Sequence, residues 1–375
     1  MNKDNLQLIF KKYIKNFELL NNKVNNETYK WEIAQEFQNF DIDAEDFADM
    51  LSHMWKASGN LIDNLQQLPF YALIDYARKE PERVREMFRM LYADEYLDTA
   101  SKQTLINDFI IASEELRKKH FPDSRMYVND QRSVMMYLFL RYPNSNFGYK
   151  AKQAKSFADC IEFYEDWGPM SAFHPDVYEH MCEQIIEEIK KDDALLETHK
   201  SRYENTDKKL HADENYHILL FDIIFSSQTY DFYDGITFSP INAKSRKLYF
   251  ERVEKAKELS ARVEKAKADA NKLDEAKAYI DSVITVGMIL HHKTFGEGTI
   301  KKRNDLIVSV YFPKIDITKI LNIATVIGNG IGSFSSAEIN EKIKYYTPVL
   351  NREYQIPAIL TSAINALQPY AEYLD

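Results

Sequence analysis

The chain has 375 residues, of which 45% are hydrophobic and 28% charged, and it carries a net charge of −10. Its length suggests two or three domains with substantial cores. Its acidic balance excludes a protein that coats DNA or a membrane surface through bulk electrostatic attraction.

The N-terminal segment and the cysteines indicate the cellular compartment of the protein. The first ten residues are too polar for a signal peptide, and no apolar run approaches the ~20 residues needed to span a bilayer. Only two cysteines occur, Cys160 and Cys182, and their spacing is not that of metal ligands. We therefore expect a cytoplasmic protein with no membrane partner and no disulfide framework.

Amphipathic helical patterns fill residues 1–240, which we predict to form one helical recognition domain. Apolar residues recur every three to four positions in "DNLQLIFKKYIKNF" and "ETYKWEIAQEFQNF". In "DIDAEDFADMLSHMW", Asp43 is the predicted N-cap, with Asp46 placed three residues later as in a capping box. Pro81 fits the first turn of a following helix, where a missing N–H is harmless, and Pro143 ends another helix.

Two later segments of this region are strongly patterned. Residues 174–199, from "HPDVYEH" to "LLETH", predict a single long amphipathic helix. The apolar run "NYHILLFDIIFSSQTYDFY" fits either a buried helix or a buried strand, and its length and helical neighbours favour the helix.

Residues 241–284 predict a long charged helix. The segment repeats "RVEKAK" and is rich in Ala, Glu and Lys, which favour helices and form close ion pairs. Its apolar stripe is thin and rich in alanine. Two interpretations follow: a solvated helical linker that rests one side on a neighbour, which the thin stripe favours, or a coiled coil that forms a homodimer.

Sequence patterns typical of β-strands lie in residues 285–333. "ITVGMILHHKTFGEGTIKK" and "DLIVSVYF" are short β-branched runs around glycine turns. Residues 334–375 return to helical patterns, with Ser335 and Glu338 placed as in a capping box. The expected fold is mostly α: a multi-helix domain, a long charged helix, a small β-module and a helical C-terminal tail.

No motif for catalysis or for a cofactor stands out. Pro175-Asp176 and Glu188-x-Lys190 imitate a nuclease signature, but residues two apart on a helix point about 200° apart, whereas that chemistry needs them on one strand face. The histidines match no standard metal-ligand spacing, and there is no G-x-x-x-x-G-K-[ST] phosphate loop. We expect no cofactor and no metal, and we predict a non-enzymatic protein.

The β-module is a basic island within an acidic chain, and its cations lie among aromatic residues. Such a surface is typical of small modules that bind nucleic acid. The alternative is a solvated charged rim around a packed aromatic core. The candidate partner-binding residues are His291, His292, Lys293, Phe295, Lys301, Lys302, Arg303 and Tyr311.

Residues 285–330 resemble the C-terminal Tudor-like module of UvrD/PcrA-type helicases. The matching features are an apolar–Gly start, a His pair, Phe-Gly-x-Gly-Thr and an alternating strand that ends in Phe. They are carried by Gly287, His291, His292, Phe295, Gly296, Gly298, Thr299 and Phe312. The resemblance implies a small SH3/Tudor-like barrel that contacts a polymerase or nucleic acid. The helicase motor is absent, so helicase activity is not implied.

Residues 25–230 resemble the helical N-terminal region of McrB-like AAA+ restriction ATPases and related defence proteins. The resemblance is carried by "YKWE", "DID" with Phe47, the "PERVREMFR" run, and "LRYP" followed by Tyr149-Lys150. It implies a recognition or regulatory region, but the ATPase that follows in that family is absent. Arg141, Tyr142 and Lys150 surround a proline-bounded turn, where binding residues are common, and they complete the candidate partner-binding set.

Together these patterns predict a recognition or adaptor protein of bacterial restriction or phage defence. Its β-module is expected to bind nucleic acid or a protein partner such as a motor ATPase, a nuclease or a polymerase. The alternatives are a metal-dependent nuclease with a non-obvious site, and a structural dimer built on the charged helix.

Overall fold

The chain divides into two compact units, an N-terminal unit (Met1–Arg246) and a C-terminal unit (Lys247–Asp375). The computed structural model describes residues 1–63, 65–169, 172–204 and 206–374. The protein is mostly helical, with a small antiparallel sheet near its C-terminus, as the sequence predicts.

Helices are the regular elements of the N-terminal unit in its described residues. They are α1 (Lys3–Lys15), α2 (Phe17–Leu20), α3 (Tyr29–Phe37), α4 (Phe47–Ala57), α5 (Pro69–Ala77), α6 (Pro81–Leu91), α7 (Thr99–His120), α8 (Gln131–Arg141), α9 (Ala151–Cys160), α10 (Pro175–Ile189), α11 (Asp193–Glu204) and α12 (His217–Thr229). The apolar run of α12 forms a helix that is buried along most of its length, which confirms the predicted helix over the alternative strand.

One predicted helix start and one predicted helix of this unit are wrong in detail. The N-cap of α4 is Asp46, not Asp43, because Asp46 has extended backbone and accepts from the Asp49 N–H at 2.9 Å. The long helix over 174–199 is divided after Ile189, since Asp192 caps the next helix by accepting from the Leu195 N–H at 3.0 Å.

The C-terminal unit joins a long helix to the sheet and to the final helices. Its elements are α13 (Ala243–Val283), β1 (Ile289–His292), β2 (Gly296–Asn304), β3 (Ile307–Phe312), β4 (Ile317–Asn322), α14 (Ile323–Gly328), β5 (Gly332–Ser333), α15 (Ala337–Leu350) and α16 (Ile356–Leu367), followed by a 3₁₀ helix (Gln368–Tyr373). The N-cap of α15 is Ser336 instead of the predicted Ser335, since its side chain accepts from the Ile339 N–H at 3.3 Å.

The apolar stripe of α13 is buried within its own unit. Val263 and Ala266 pack with Ala363 of α16. Further along, Leu273 and Ile280 join the core that lies under the sheet. The chain therefore covers the thin stripe with its own C-terminal helix and sheet, and the charged positions of α13 remain exposed.

The sheet is antiparallel, with strand order β4-β3-β2-β1-β5. Ile300, Val310 and Phe312 are fully buried and form its inner face. Position 298, next to these side chains, must be glycine, because a Cβ there would lie 2.5 Å from the Phe312 ring. The glycines in "TFGEGT" therefore permit close packing and a tight turn.

Candidate partner-binding site

The solvent side of β2, β3 and β4 presents a regular set of side chains, which we call the sheet face. Cross-strand neighbours point to the same side of a sheet, so the register decides which residues share it. The sheet face consists of three rows: Thr299, Tyr311 and Thr318; Lys302, Ser309 and Ile320; Asn304, Ile307 and Asn322. All nine side chains are exposed or half-buried.

The sheet face combines an aromatic ring with cations. A register shift between Ile300 and Lys302 places Lys301 in a bulge, and its ammonium lies 5.8 Å from the centroid of the Tyr311 ring. The Tyr311 hydroxyl donates to Asp316 at 2.9 Å. This hydrogen bond to a carboxylate is the main reason that the Tyr311 pKa is raised, so the ring stays neutral at physiological pH.

A groove of about 510 Å³ lies on another side of the same unit. It is lined by His291, His292, Lys293, Gly296, Glu297, Gly330, Gly332, Ser333, Ala337, Asn340, Glu341 and Lys344. Two of its basic side chains lie beside acids: His291 Nδ1 is 3.2 Å from Glu297 Oε1, and Lys344 Nζ is 2.8 Å from Glu341 Oε1. The groove is therefore a mixed polar surface instead of a cationic one.

His292 and Phe295 belong to the core next to this groove. Their rings stack with centroids 4.4 Å apart, and Phe295 also packs 5.3 Å from the Phe312 ring. His292 Nδ1 accepts from the Thr294 N–H at 3.1 Å, which places the proton of the neutral ring on Nε2. Burial lowers the His292 pKa, so the ring is neutral in the folded state at pH 7.

Arg303 is engaged inside the C-terminal unit. Its guanidinium donates to the Ile284 carbonyl at 2.8 Å and to the Asp305 carbonyl at 3.0 Å, and it forms an ion pair with Asp281. These bonds join β2 to the end of α13. Arg303 therefore has less freedom to meet a partner than Lys301 or Lys302, for which no ion pair is seen in the described residues.

The other candidate residues lie in the N-terminal unit. Arg141 donates to the Gln38 carbonyl at 3.0 Å, where α3 ends. Tyr142 donates to the Tyr92 carbonyl at 2.9 Å. Lys150 is half-buried and donates to the Asn60 carbonyl at 3.2 Å. Arg141 and Tyr142 thus satisfy backbone groups of their own unit, whereas Lys150 lines a cavity.

A buried ionic cluster in the N-terminal unit has no counterpart among the sequence predictions. The Lys30 ammonium donates to Asp222 at 2.6 Å and also pairs with Glu27. Tyr13 donates to the other Asp222 oxygen at 2.5 Å, and Arg202 donates to the Tyr13 hydroxyl at 2.8 Å. Two cations meet two carboxylates here, so the charges of the cluster are balanced within the fold. Its members are up to 209 residues apart in sequence, and no local pattern reveals such a contact.

The sheet face also contains residues that the sequence did not indicate as binding residues, among them Thr299, Ser309, Thr318 and Ile320. Ile320 is 77% exposed although it lies in an apolar strand. Alternation along β3 could have separated its two faces. The pairing register, which brings the three strands into rows, is not visible in the sequence.

Across the described ranges, no group of three or more potential ligands could hold a metal ion. Within the same residues, no helix is both long enough and apolar enough to cross a membrane. Comparison of the chain with protein-family models, with curated proteins and with solved structures finds no match.

Proposed function

We propose that the protein is a non-enzymatic recognition or adaptor protein whose C-terminal unit binds single-stranded nucleic acid on the sheet face. In this proposal β1–β5 form an SH3/Tudor-like barrel, and the protein acts in the cytoplasm in restriction or phage defence. The resemblances of residues 25–230 and 285–330 support that setting. The sheet face supports the ligand.

One observation carries the proposal: the Tyr311 ring lies beside the bulge residue Lys301, Lys302 lies in the neighbouring row, and none of the nine residues of the sheet face is acidic. A ring on an exposed sheet can stack with a base, and neighbouring ammonium groups can meet the phosphates. The hydroxyl and amide groups of the rows add donors and acceptors at the same surface. The overall charge of −10 resides elsewhere and does not prevent local binding.

A protein partner is the second candidate, supported by a different feature. β4 is an edge strand of the sheet, and its Ile317 and Ile320 side chains are 41% and 77% exposed. An exposed apolar edge strand can pair with an extended segment of another chain. Such a partner would use the edge and not the Tyr311 ring.

Fluorescence anisotropy of a labelled oligonucleotide, as DNA and as RNA, tests the leading proposal. The full chain should bind more tightly at about 50 mM than at about 200 mM salt. Tyr311→Ala should weaken binding by about 1–3 kcal/mol through the lost stacking, whereas Tyr311→Phe should retain it. Replacing both Lys301 and Lys302 with Gln should lower the salt slope, by about 0.7 for each lost phosphate contact.

Lys265→Gln is the matched control, because this lysine is exposed on α13 away from the sheet face. It should leave both affinity and salt slope unchanged. The nucleic-acid proposal is abandoned when the full chain shows no binding at low salt, or when the Tyr311 and lysine variants bind like the control. Cleavage of either oligonucleotide in the presence of a divalent metal would instead establish the nuclease alternative.

A further inference from the structure

A cavity of about 160 Å³ lies in the N-terminal unit between the start of α9, the start of α8 and the loop before α5. Its polar lining includes Asp63, Asp130, Arg132 and Lys150, and its apolar floor includes Met136. A cavity of roughly 150 Å³ can hold a molecule the size of benzene. The space therefore suits a small molecule and not a nucleotide or a peptide.

The two carboxylates that line the cavity already accept hydrogen bonds from other groups of the protein. Asp63 accepts from three consecutive backbone N–H groups, those of Leu65, Gln66 and Gln67, each at 3.0 Å. Burial raises the Asp63 pKa, but these bonds outweigh it, so the net effect lowers the pKa and keeps the carboxylate charged. Asp130 caps α8 and accepts from the Arg132 guanidinium at 2.5 and 2.8 Å.

Lys150 differs from these groups because its ammonium forms no ion pair. Its ammonium donates to the Asn60 carbonyl, and no carboxylate in the described parts of the chain lies within 4.0 Å of it. Desolvation lowers the Lys150 pKa; the attraction of Asp63 only partly offsets this, and the nearby Arg132 charge lowers it further. A partly desolvated cation beside a second cation is unfavourable until an anion joins them.

The backbone next to Lys150 also favours an anionic ligand. Lys150 is the N-cap of α9, and its side chain makes no capping bond to the helix. The amide groups at the start of a helix lack partners within it, and the helix dipole favours negative charge there. The cavity thus joins the Lys150 ammonium, the Arg132 guanidinium and a helix start, while its two carboxylates are engaged by backbone N–H groups and by Arg132.

We propose that this cavity binds a small oxyanion, the carboxylate of a small organic acid or a phosphate group, with the Lys150 ammonium as its counter-ion. Arg132, whose Nε and Nη2 are held by Asp130, presents its remaining N–H groups as additional donors. Met136 and the apolar wall contact the rest of the ligand. This site is independent of the sheet face.

Isothermal titration of the full chain with inorganic phosphate and, separately, with acetate tests this site at constant ionic strength. We expect at least one of the two to bind, and the one that binds identifies the anion class. Lys150→Met should weaken that binding by about 10- to 100-fold, as expected for loss of a charge-assisted hydrogen bond. Lys150→Arg, which keeps the charge, should retain most of the affinity.

Lys152→Met is the matched control, since Lys152 is exposed two residues along the same helix. It should bind like the unchanged chain. Circular dichroism checks that each variant is folded, and Lys150→Gln replaces Lys150→Met if the latter is not. The proposal is overturned when neither anion binds the full chain, or when the neutral Lys150 variants bind as tightly as Lys152→Met.

Discussion

Replacing Asp222 with Asn should strongly destabilise the N-terminal unit. The Asp222 side chain is fully buried, and its two oxygens accept from Lys30 at 2.6 Å and from Tyr13 at 2.5 Å. Asn has nearly the same shape but no charge, so the variant removes one of two carboxylates that face two buried cations. Lys30, whose side chain is also fully buried, would keep only Glu27 as its acid.

The magnitude follows from the cost of an uncompensated buried charge. Removing one partner of a buried ion pair typically costs about 3–5 kcal/mol. For a unit of this size, 1 kcal/mol shifts the melting temperature by about 2–4 °C, so Asp222→Asn should lower it by roughly 6–20 °C. An additional loss is expected because the Asn amide would place an N–H against the donors that now point at the carboxylate.

Urea unfolding followed by circular dichroism measures this change. Glu187→Gln is the matched control: Glu187 pairs with Lys190 at 2.9 Å, but both side chains are about half exposed, at 61% and 47%. An exposed pair should contribute no more than about 1 kcal/mol. If Asp222→Asn costs no more than the control, the buried cluster is not held by its charges and this reasoning is wrong.

Two further predictions concern a buried histidine and a close-packed glycine. Burial lowers the folded-state pKa of His217 to about 4 from its ordinary 6.5. Between these two pH values, unfolding takes up a proton at His217. The contribution of the neutral ring to folding stability is therefore fully present above pH 6.5 and is lost as the pH falls towards 4. Between pH 7 and pH 5, urea titrations should show that the unchanged chain loses about 2 kcal/mol more stability than the His217→Gln variant does. The exposed His53→Gln variant is the control. Equal pH dependence of stability in the unchanged chain and in His217→Gln would exclude this effect. Gly298→Ala should lower folding stability by about 1–3 kcal/mol, because the added Cβ would collide with Phe312. The control Thr299→Ala, on the opposite face of the strand, should cost less. Similar urea midpoints for the two variants would show that position 298 does not require glycine.

The helices that could be predicted from sequence are those whose apolar pattern and end signals are local. α13 runs over Ala243–Val283, close to the predicted segment 241–284, because strong helix formers fill it and no glycine or proline interrupts it. Pro81 opens α6, as its fixed φ suggests. In both cases the information lies within a few residues of the element.

The missed details depend on choices among similar neighbours. "DIDAED" offers four acids as caps for α4, and only the extended backbone at Asp46 selects one. "KKDD" after Ile189 can continue a helix by propensity, but Asp192 caps a new one. A local pattern cannot decide between continuation and capping when the competing side chains differ by little in free energy.

The candidate sites were harder to predict because they depend on contacts between distant residues. The sheet face exists only when β2, β3 and β4 are aligned in register, and the cavity forms only where α8, α9 and the loop before α5 meet. Composition identified the basic residues of the β-module, and the turn after Pro143 identified Lys150. Neither could separate Arg303, which is tied to Asp281, from Lys302, which is not.

Charge balance distinguishes the structural cations of this chain from those that we propose to bind a ligand. In the buried cluster, Lys30 is matched by Asp222 and Glu27, so its charge is fully used in stabilising the fold. Lys150 is partly desolvated with no acid in contact, and Lys302 lies on a sheet face that has no acids. A cation that the fold places without a partner stabilises nothing by itself, and near an aromatic ring or in a cavity it is available to an external anion. By this criterion we propose the sheet face and the Lys150 cavity, and not the buried cluster, as the binding surfaces of the molecule.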